Sequence, residues 1–170
     1  MAVHDPSPVE SHVISVLVEN KSGVLSHVVG LFSARGFNIA SLAVGETEDP
    51  TMSRITLVAE GDQRTIEQIK KQLNKLIDVI KVHDLTQELY VDSELMLVKM
   101  KTSPKLKETM APLVSQYRIH VLEANDKITI VQCTESRENI AKLFGIFRNI
   151  GILEIAQTGT VALSKKAPKD

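Results

Sequence analysis

The stretch His12-Val13-Ile14-Ser15-Val16-Leu17-Val18-Glu19-Asn20-Lys21-Ser22-Gly23-Val24-Leu25 carries two secondary-structure elements and the break between them. His12 to Val18 is apolar and β-branched and ends at Glu19, which predicts a strand. Asn20-Lys21-Ser22-Gly23 interrupts it with turn-forming residues. Val24, Leu25, Val28, Val29 and Phe32 then recur at helical spacing, predicting a helix that stops near Gly36.

Reading onward, Phe37 to Val44 predicts a second strand. Glu46-Thr47-Glu48-Asp49-Pro50-Thr51 predicts a turn, because proline and the acidic cluster oppose strand continuation. Ile55, Leu57 and Ala59 alternate with Thr56 and Val58 in a third strand spanning Arg54 to Glu60. After Gly61-Asp62, a helix presents Ile66, Ile69, Leu73 and Leu76 on one stripe, with Lys70, Lys71 and Gln72 off it. Val79 to Leu85 predicts a fourth strand, with Ile80 and Val82 opposite Lys81 and His83. The order is βαββαβ, the split arrangement of ferredoxin-like domains. Right-handed crossovers put the first and third strands at the sheet centre and both helices on one face. The second and fourth strands become edges, and the apolar second strand offers a surface for a second copy.

The pattern then begins again. Gln87 to Ser93 is polar and predicts a linker over residues 88–93. Leu95 to Met100 predicts a strand, and Pro104 to Tyr117 a helix interrupted at Pro112. Ile119–Leu122 and Ile128–Val131 predict a hairpin around Asn125-Asp126-Lys127. Glu138 to Ile150 predicts a helix with Ile140, Leu143, Phe144 and Phe147 on its apolar side and Gly151 as its cap. Ile152 to Leu163 completes the unit as a strand pair or one strand bent near Gly159. The expected fold is α+β, with two ferredoxin-like βαββαβ domains in tandem. They span residues 12–87 and 94–164, flanked by loose tails at 1–11 and 165–170.

Composition narrows the function. Of 170 residues, 43% are hydrophobic and 24% charged, as in ordinary folded chains. Twenty Lys plus Arg against 21 Asp plus Glu leave a net charge of −1, which argues against phosphate backbones or anionic membrane as main partners. No apolar run is long enough to span a bilayer. Met1 to Ser11 has no apolar core and does not read as a signal peptide. With the single Cys133, this points to the cytoplasm. The five histidines, at positions 4, 12, 27, 83 and 120, lack helical metal-ligand spacing. Phosphate-loop, dinucleotide and serine-elbow motifs are missing as well. RNA binding by this fold needs aromatics on the central strands, and His12–Glu19 and Arg54–Glu60 hold none. Glu46, Glu48 and Asp49 could be imagined as catalytic carboxylates. The simpler reading is a hydrated turn, since nothing apolar surrounds them.

One constellation fits a small amino acid. A helix starting at Val24 offers unpaired N–H groups and the positive end of its dipole. Gly23 there would let a carboxylate approach the backbone closely. Asn20 can donate or accept, and Asn38 begins the edge strand, from which a second copy of the chain could present it to the first copy's loop. Equally, Asn and Gly are common turn residues, and Asn20 could simply cap the helix.

Ile14–Leu25 resembles the start of an ACT domain, the amino-acid-sensing module of biosynthetic enzymes. Gly30–Leu42, Asp49–Arg54 and Gln68–Leu76 are similar, more narrowly, to the small regulatory subunit of acetohydroxyacid synthase (acetolactate synthase). In the second half, Glu94–Lys99 and Gly151–Leu163 agree, so the resemblance covers residues 12 to 164. It implies a homodimeric, non-catalytic subunit in branched-chain amino acid biosynthesis. Such a subunit activates a large catalytic subunit and confers feedback inhibition by a branched-chain amino acid, valine in most members. Thiamine diphosphate, magnesium and FAD would sit on that large subunit and no cofactor on this chain. Asn20, Gly23 and Asn38, with the backbone of Val24 and Ile39, match effector-contacting positions. The chain departs at residues 101–126, which fit weakly, and at Gln157, where a basic residue is common. The alternative is a free-standing ACT-type sensor with a different partner; a small ferredoxin-like enzyme is the rival class.

Overall fold

The computed structural model describes residues 10–167; most of the two expected tails, residues 1–9 and 168–170, lies outside them. Nine strands and four helices alternate in the described residues. They are β1 (Glu10–Glu19), α1 (Val24–Arg35), β2 (Asn38–Glu46), β3 (Met52–Gly61), α2 (Gln63–Leu73), β4 (Val79–Asp84), β5 (Tyr90–Lys101), α3 (Pro104–Gln116), β6 (Ile119–Ala124), β7 (Ile128–Glu135), α4 (Arg137–Ile150), β8 (Ile152–Gln157) and β9 (Val161–Ser164). One sheet runs β2-β3-β1-β4 and the other β6-β7-β5-β8, so the same βαββαβ topology occurs twice. The chain divides into two compact units: residues up to Val91 together with Ala162 onward, and Asp92–Val161.

In the first unit, alternate residues of the two central strands point to one face. Ile14, Val16 and Val18 of β1 and Ile55, Leu57 and Ala59 of β3 pack there against Val24, Val28 and Phe32 of α1 and Ile66, Ile69 and Leu73 of α2. Phe32 meets Phe37 edge-on, with ring centroids 6.0 Å apart. On the opposite face, Val13 and Val58 are covered by Leu85, Ala162 and the half-buried Tyr90. The C-terminal strand therefore returns to this unit. Its Lys165 N–H donates to the Leu89 carbonyl at 2.9 Å, and β9 pairs with β5.

Some local expectations change. The polar stretch expected as a linker is largely strand, because β5 already begins at Tyr90. Ile80, expected inside, is 52% exposed. Leu17 pairs with Lys81 and Val18 with Val79, so Ile80 is the extra residue of a bulge and is turned off the core face. Leu76 lies past the end of α2 but still packs against the core. Pro112 does not break α3, which runs through it. The proline sits on the exposed side, where water can satisfy the carbonyl it leaves unpaired, while Leu106, Met110 and Leu113 are buried on the other.

The second unit buries Met96, Val98, Met100, Val131 and Cys133 beneath Leu106, Met110, Leu113, Ile140, Leu143 and Phe147. Phe144, expected on that stripe, is 38% exposed. Burial pushes the Cys133 thiol up to about 11, with the Glu135 carboxylate adding to the shift, so it is a packing residue at neutral pH. Gln157 has a structural role as well. Its Nε2 donates at 2.7 Å to Glu94, whose other oxygen accepts from the Thr160 hydroxyl. Glu94 is only 4% exposed, so an amide serves as donor to a buried carboxyl where the resemblance led one to expect a cation.

Candidate functional site

Three of the four helices start with a side-chain cap. Asp62 accepts from Thr65 N–H at 2.8 Å, Ser103 from Leu106 N–H at 3.2 Å and Ser136 from Asn139 N–H at 3.3 Å. The fourth, α1, starts at Gly23, which supplies no side-chain acceptor. The Val24 N–H donates to the Lys21 carbonyl at 3.4 Å and the His27 N–H to the Gly23 carbonyl at 3.0 Å, and no capping side chain competes with a ligand at this positive end of the helix dipole. Gly23 holds φ +89°, a left-handed conformation that costs other L residues roughly 1–2 kcal/mol. A Cβ built there would meet no heavy atom within 4 Å, so the space before the helix is open. Val24 next to it is buried in the core and anchors the helix start.

Asn20 is not the cap. Its Nδ2 donates to Glu46 Oε1 at 3.1 Å and to the Pro50 carbonyl at 2.9 Å, and its main-chain N–H donates to Thr51 O at 2.7 Å. The loop before α1 is thus tied to the β2–β3 turn. Within that turn Asp49 accepts from the Thr51 hydroxyl and N–H, and these bonds hold its carboxyl below the usual range. The acidic cluster is a built turn, and one member, Glu46, reaches the asparagine. Lys21 is engaged by Glu19 at 2.6 Å, and that hydrogen bond raises its pKa. His27 Nδ1 lies 3.2 Å from Asp78, linking the first turn of α1 to the loop before β4.

Asn38 and Ile39 open β2, opposite Glu60 and Ala59 of β3. Asn38 Nδ2 donates to Glu60 Oε2 at 3.0 Å. This end of the sheet is far from Asn20. Glu46, which holds Asn20, is the last residue of β2, and Asn38 is the first. At about 3.3 Å per residue the strand separates them by roughly 25 Å. One chain therefore brings Asn20, Gly23 and Val24 together and leaves Asn38 and Ile39 apart. Because β2 is an edge strand, antiparallel pairing of two β2 edges about a two-fold axis would set the Asn38 end of one copy beside the Glu46 end of the other.

The family model described as the AHAS small subunit-like ACT domain matches residues 14–81, and that of the small subunit of acetolactate synthase matches residues 93–166. The chain is 42% identical over 156 residues to the acetolactate synthase small subunit of Mycobacterium bovis, covering 92% of this chain and 93% of that one. The chain belongs to the acetolactate synthase small-subunit family. It is also 40% identical over 154 residues to the isozyme 3 small subunit of Escherichia coli, covering 90% of this chain and 94% of that one. The crystal structure of the acetolactate synthase small subunit from Thermotoga maritima superposes with a TM-score of 0.81 at 35% identity, over 94% of this chain and 99% of that one. The ACT domain of the family thus lies in the first unit, and the second family model follows it along the chain. Among the described residues no helix is long and apolar enough to cross a membrane, and no group of three or more His, Cys, Asp or Glu could hold a metal ion.

Sequence reasoning placed Glu46 and Pro50 in a hydrated turn and Glu60 at a strand end, without linking them to the two asparagine amides that they anchor. The β2–β3 register sets Glu60 opposite Asn38, and the β1–β3 register brings Met52, next to the turn, opposite Glu19. Residue types alone carry neither register.

Proposed function

We propose that this chain is the regulatory, non-catalytic subunit of acetolactate synthase. In this reading it activates a large catalytic subunit that carries thiamine diphosphate, magnesium and FAD. It also makes that enzyme sensitive to feedback by a branched-chain amino acid, with valine the first candidate. Two copies associate through β2, in the cytoplasm. The effector lies where Asn20, Gly23 and the backbone of Val24 from one copy meet Asn38 and the backbone of Ile39 from the other.

The observation that carries the effector reading is the start of α1. It is the one described helix without a side-chain cap, opened by a left-handed glycine with free space before it. A ligand carboxylate supplies there what Asp62, Ser103 and Ser136 supply at the other helices. The match of the second half to the small-subunit model favours this reading over a free-standing sensor.

Calorimetric titration of the isolated chain with valine, leucine and isoleucine tests the effector site. At least one of the three is expected to bind with one site per Asn20–Asn38 pair, that is, two per dimer. Absence of binding by all three at millimolar concentration would reject it.

A further inference from the structure

An asparagine amide presents a donor on one side and an acceptor on the other, and its orientation follows from its partners. Both partners of the Asn20 amide nitrogen, Glu46 Oε1 and the Pro50 carbonyl, can only accept. The nitrogen must therefore face the β2–β3 turn, which turns Oδ1 away from it. Asn38 repeats the device. Its nitrogen is taken by Glu60, an acceptor-only carboxylate, and its Oδ1 is turned away. Asn20 and Asn38 are both exposed, so a ligand can reach their side chains.

Resting on the effector reading above, we infer that Glu46 and Glu60 are positioning residues that fix the two site asparagines as acceptors and make the site selective for a ligand ammonium group. Two carbonyl oxygens, each backed by a carboxylate, form an environment for a hydrogen-bond donor with positive charge. The uncapped start of α1 is the complementary environment for a carboxylate. Together they match the two ends of a zwitterionic α-amino acid. A 2-oxo acid carries the same carboxylate and side chain but puts a carbonyl oxygen where the ammonium would be. That oxygen would face the asparagine oxygens with no proton between them. The site would thus distinguish an amino acid from the 2-oxo acid of the same carbon skeleton by this one group.

The test titrates the full chain with L-valine and with 3-methyl-2-oxobutanoate, which differ only at that position. The unmodified protein is expected to bind valine at least about thirtyfold more tightly than the oxo acid. Glu46→Ala removes one of the two acceptors of the Asn20 nitrogen and the negative charge behind its oxygen, leaving only the Pro50 carbonyl to orient it, and valine affinity is expected to fall about tenfold. Glu46→Gln keeps an acceptor oxygen and is expected to retain most of the affinity. Glu60→Ala, on the neighbouring strand, is an independent variant with the same expectation as Glu46→Ala. Equal affinity for valine and the oxo acid would overturn the inference. So would unmodified valine binding in both alanine variants, or a Glu46→Gln loss as large as that of Glu46→Ala. Failure of the unmodified chain to bind any branched-chain amino acid would instead remove the effector reading itself, and this inference with it.

Discussion

Gly23→Asp is expected to remove most of the response to a branched-chain amino acid while leaving activation of the catalytic subunit in place. The substitution sets a carboxylate at the start of α1, where the ligand's own carboxylate would lie. Two unit charges about 4 Å apart at an effective dielectric near 20 repel by about 4 kcal/mol. Solvent and side-chain relaxation reduce this, and the ~2 kcal/mol that remains weakens binding roughly thirtyfold. A Cβ at φ +89° carries a cost that Asp and Asn bear better than most residues. Gly23→Asn is the control, with the same shape and backbone strain but no charge. Inhibition curves of the reconstituted enzyme with valine, leucine and isoleucine read the result. Gly23→Asp curves that match the unmodified protein would put the site elsewhere. Equal loss in both variants, together with a lower melting temperature, would assign Gly23 to folding alone.

Mixed dimers of Asn20→Ala and Asn38→Ala chains are expected to keep one site of unmodified affinity, whereas each homodimer loses both. Glu46, which holds Asn20, and Asn38 are roughly 25 Å apart along β2, so a site that used both asparagines would take one from each copy. In the mixed dimer one site has lost both asparagines and the other has lost neither. Loss of a hydrogen bond to a charged group costs about 1.5–3 kcal/mol, or roughly ten- to hundredfold in affinity, so intact and damaged sites separate clearly in a titration. A mixed dimer with no site of unmodified affinity would mean that the two residues do not share one.

Much of this architecture was legible in the order of patterns. Alternation in Ile55–Ala59 and the stripe Ile66–Ile69–Leu73 each have one reading, and βαββαβ order with right-handed crossovers leaves one arrangement of strands. Details that depend on pairing were not legible. Ile80 looks like a core residue until the bulge against Leu17 and Val18 turns it outward. Tyr90–Ser93 looks like a linker because its polar character hides the extension of β5 and the return of β9 beside it. The open start of α1 could be read from Gly23 before Val24. Whether Asn20 would cap that helix or turn to Glu46 and Pro50 depended on where the β2–β3 turn lay, a matter of tertiary register.

Regulation requires more than an occupied site. The effector must bind differently to the activating and non-activating states of the complex, and for binding free energies that coupling is reciprocal. The most direct measurement is acetolactate formation by the large catalytic subunit, alone and with increasing amounts of this chain, in the presence and absence of valine. The account predicts that the rate rises to a plateau as the chain is added, that valine lowers the plateau, and that the chain alone produces nothing. An unchanged rate at saturating amounts of the chain, or acetolactate formed by the chain without the large subunit, would contradict it.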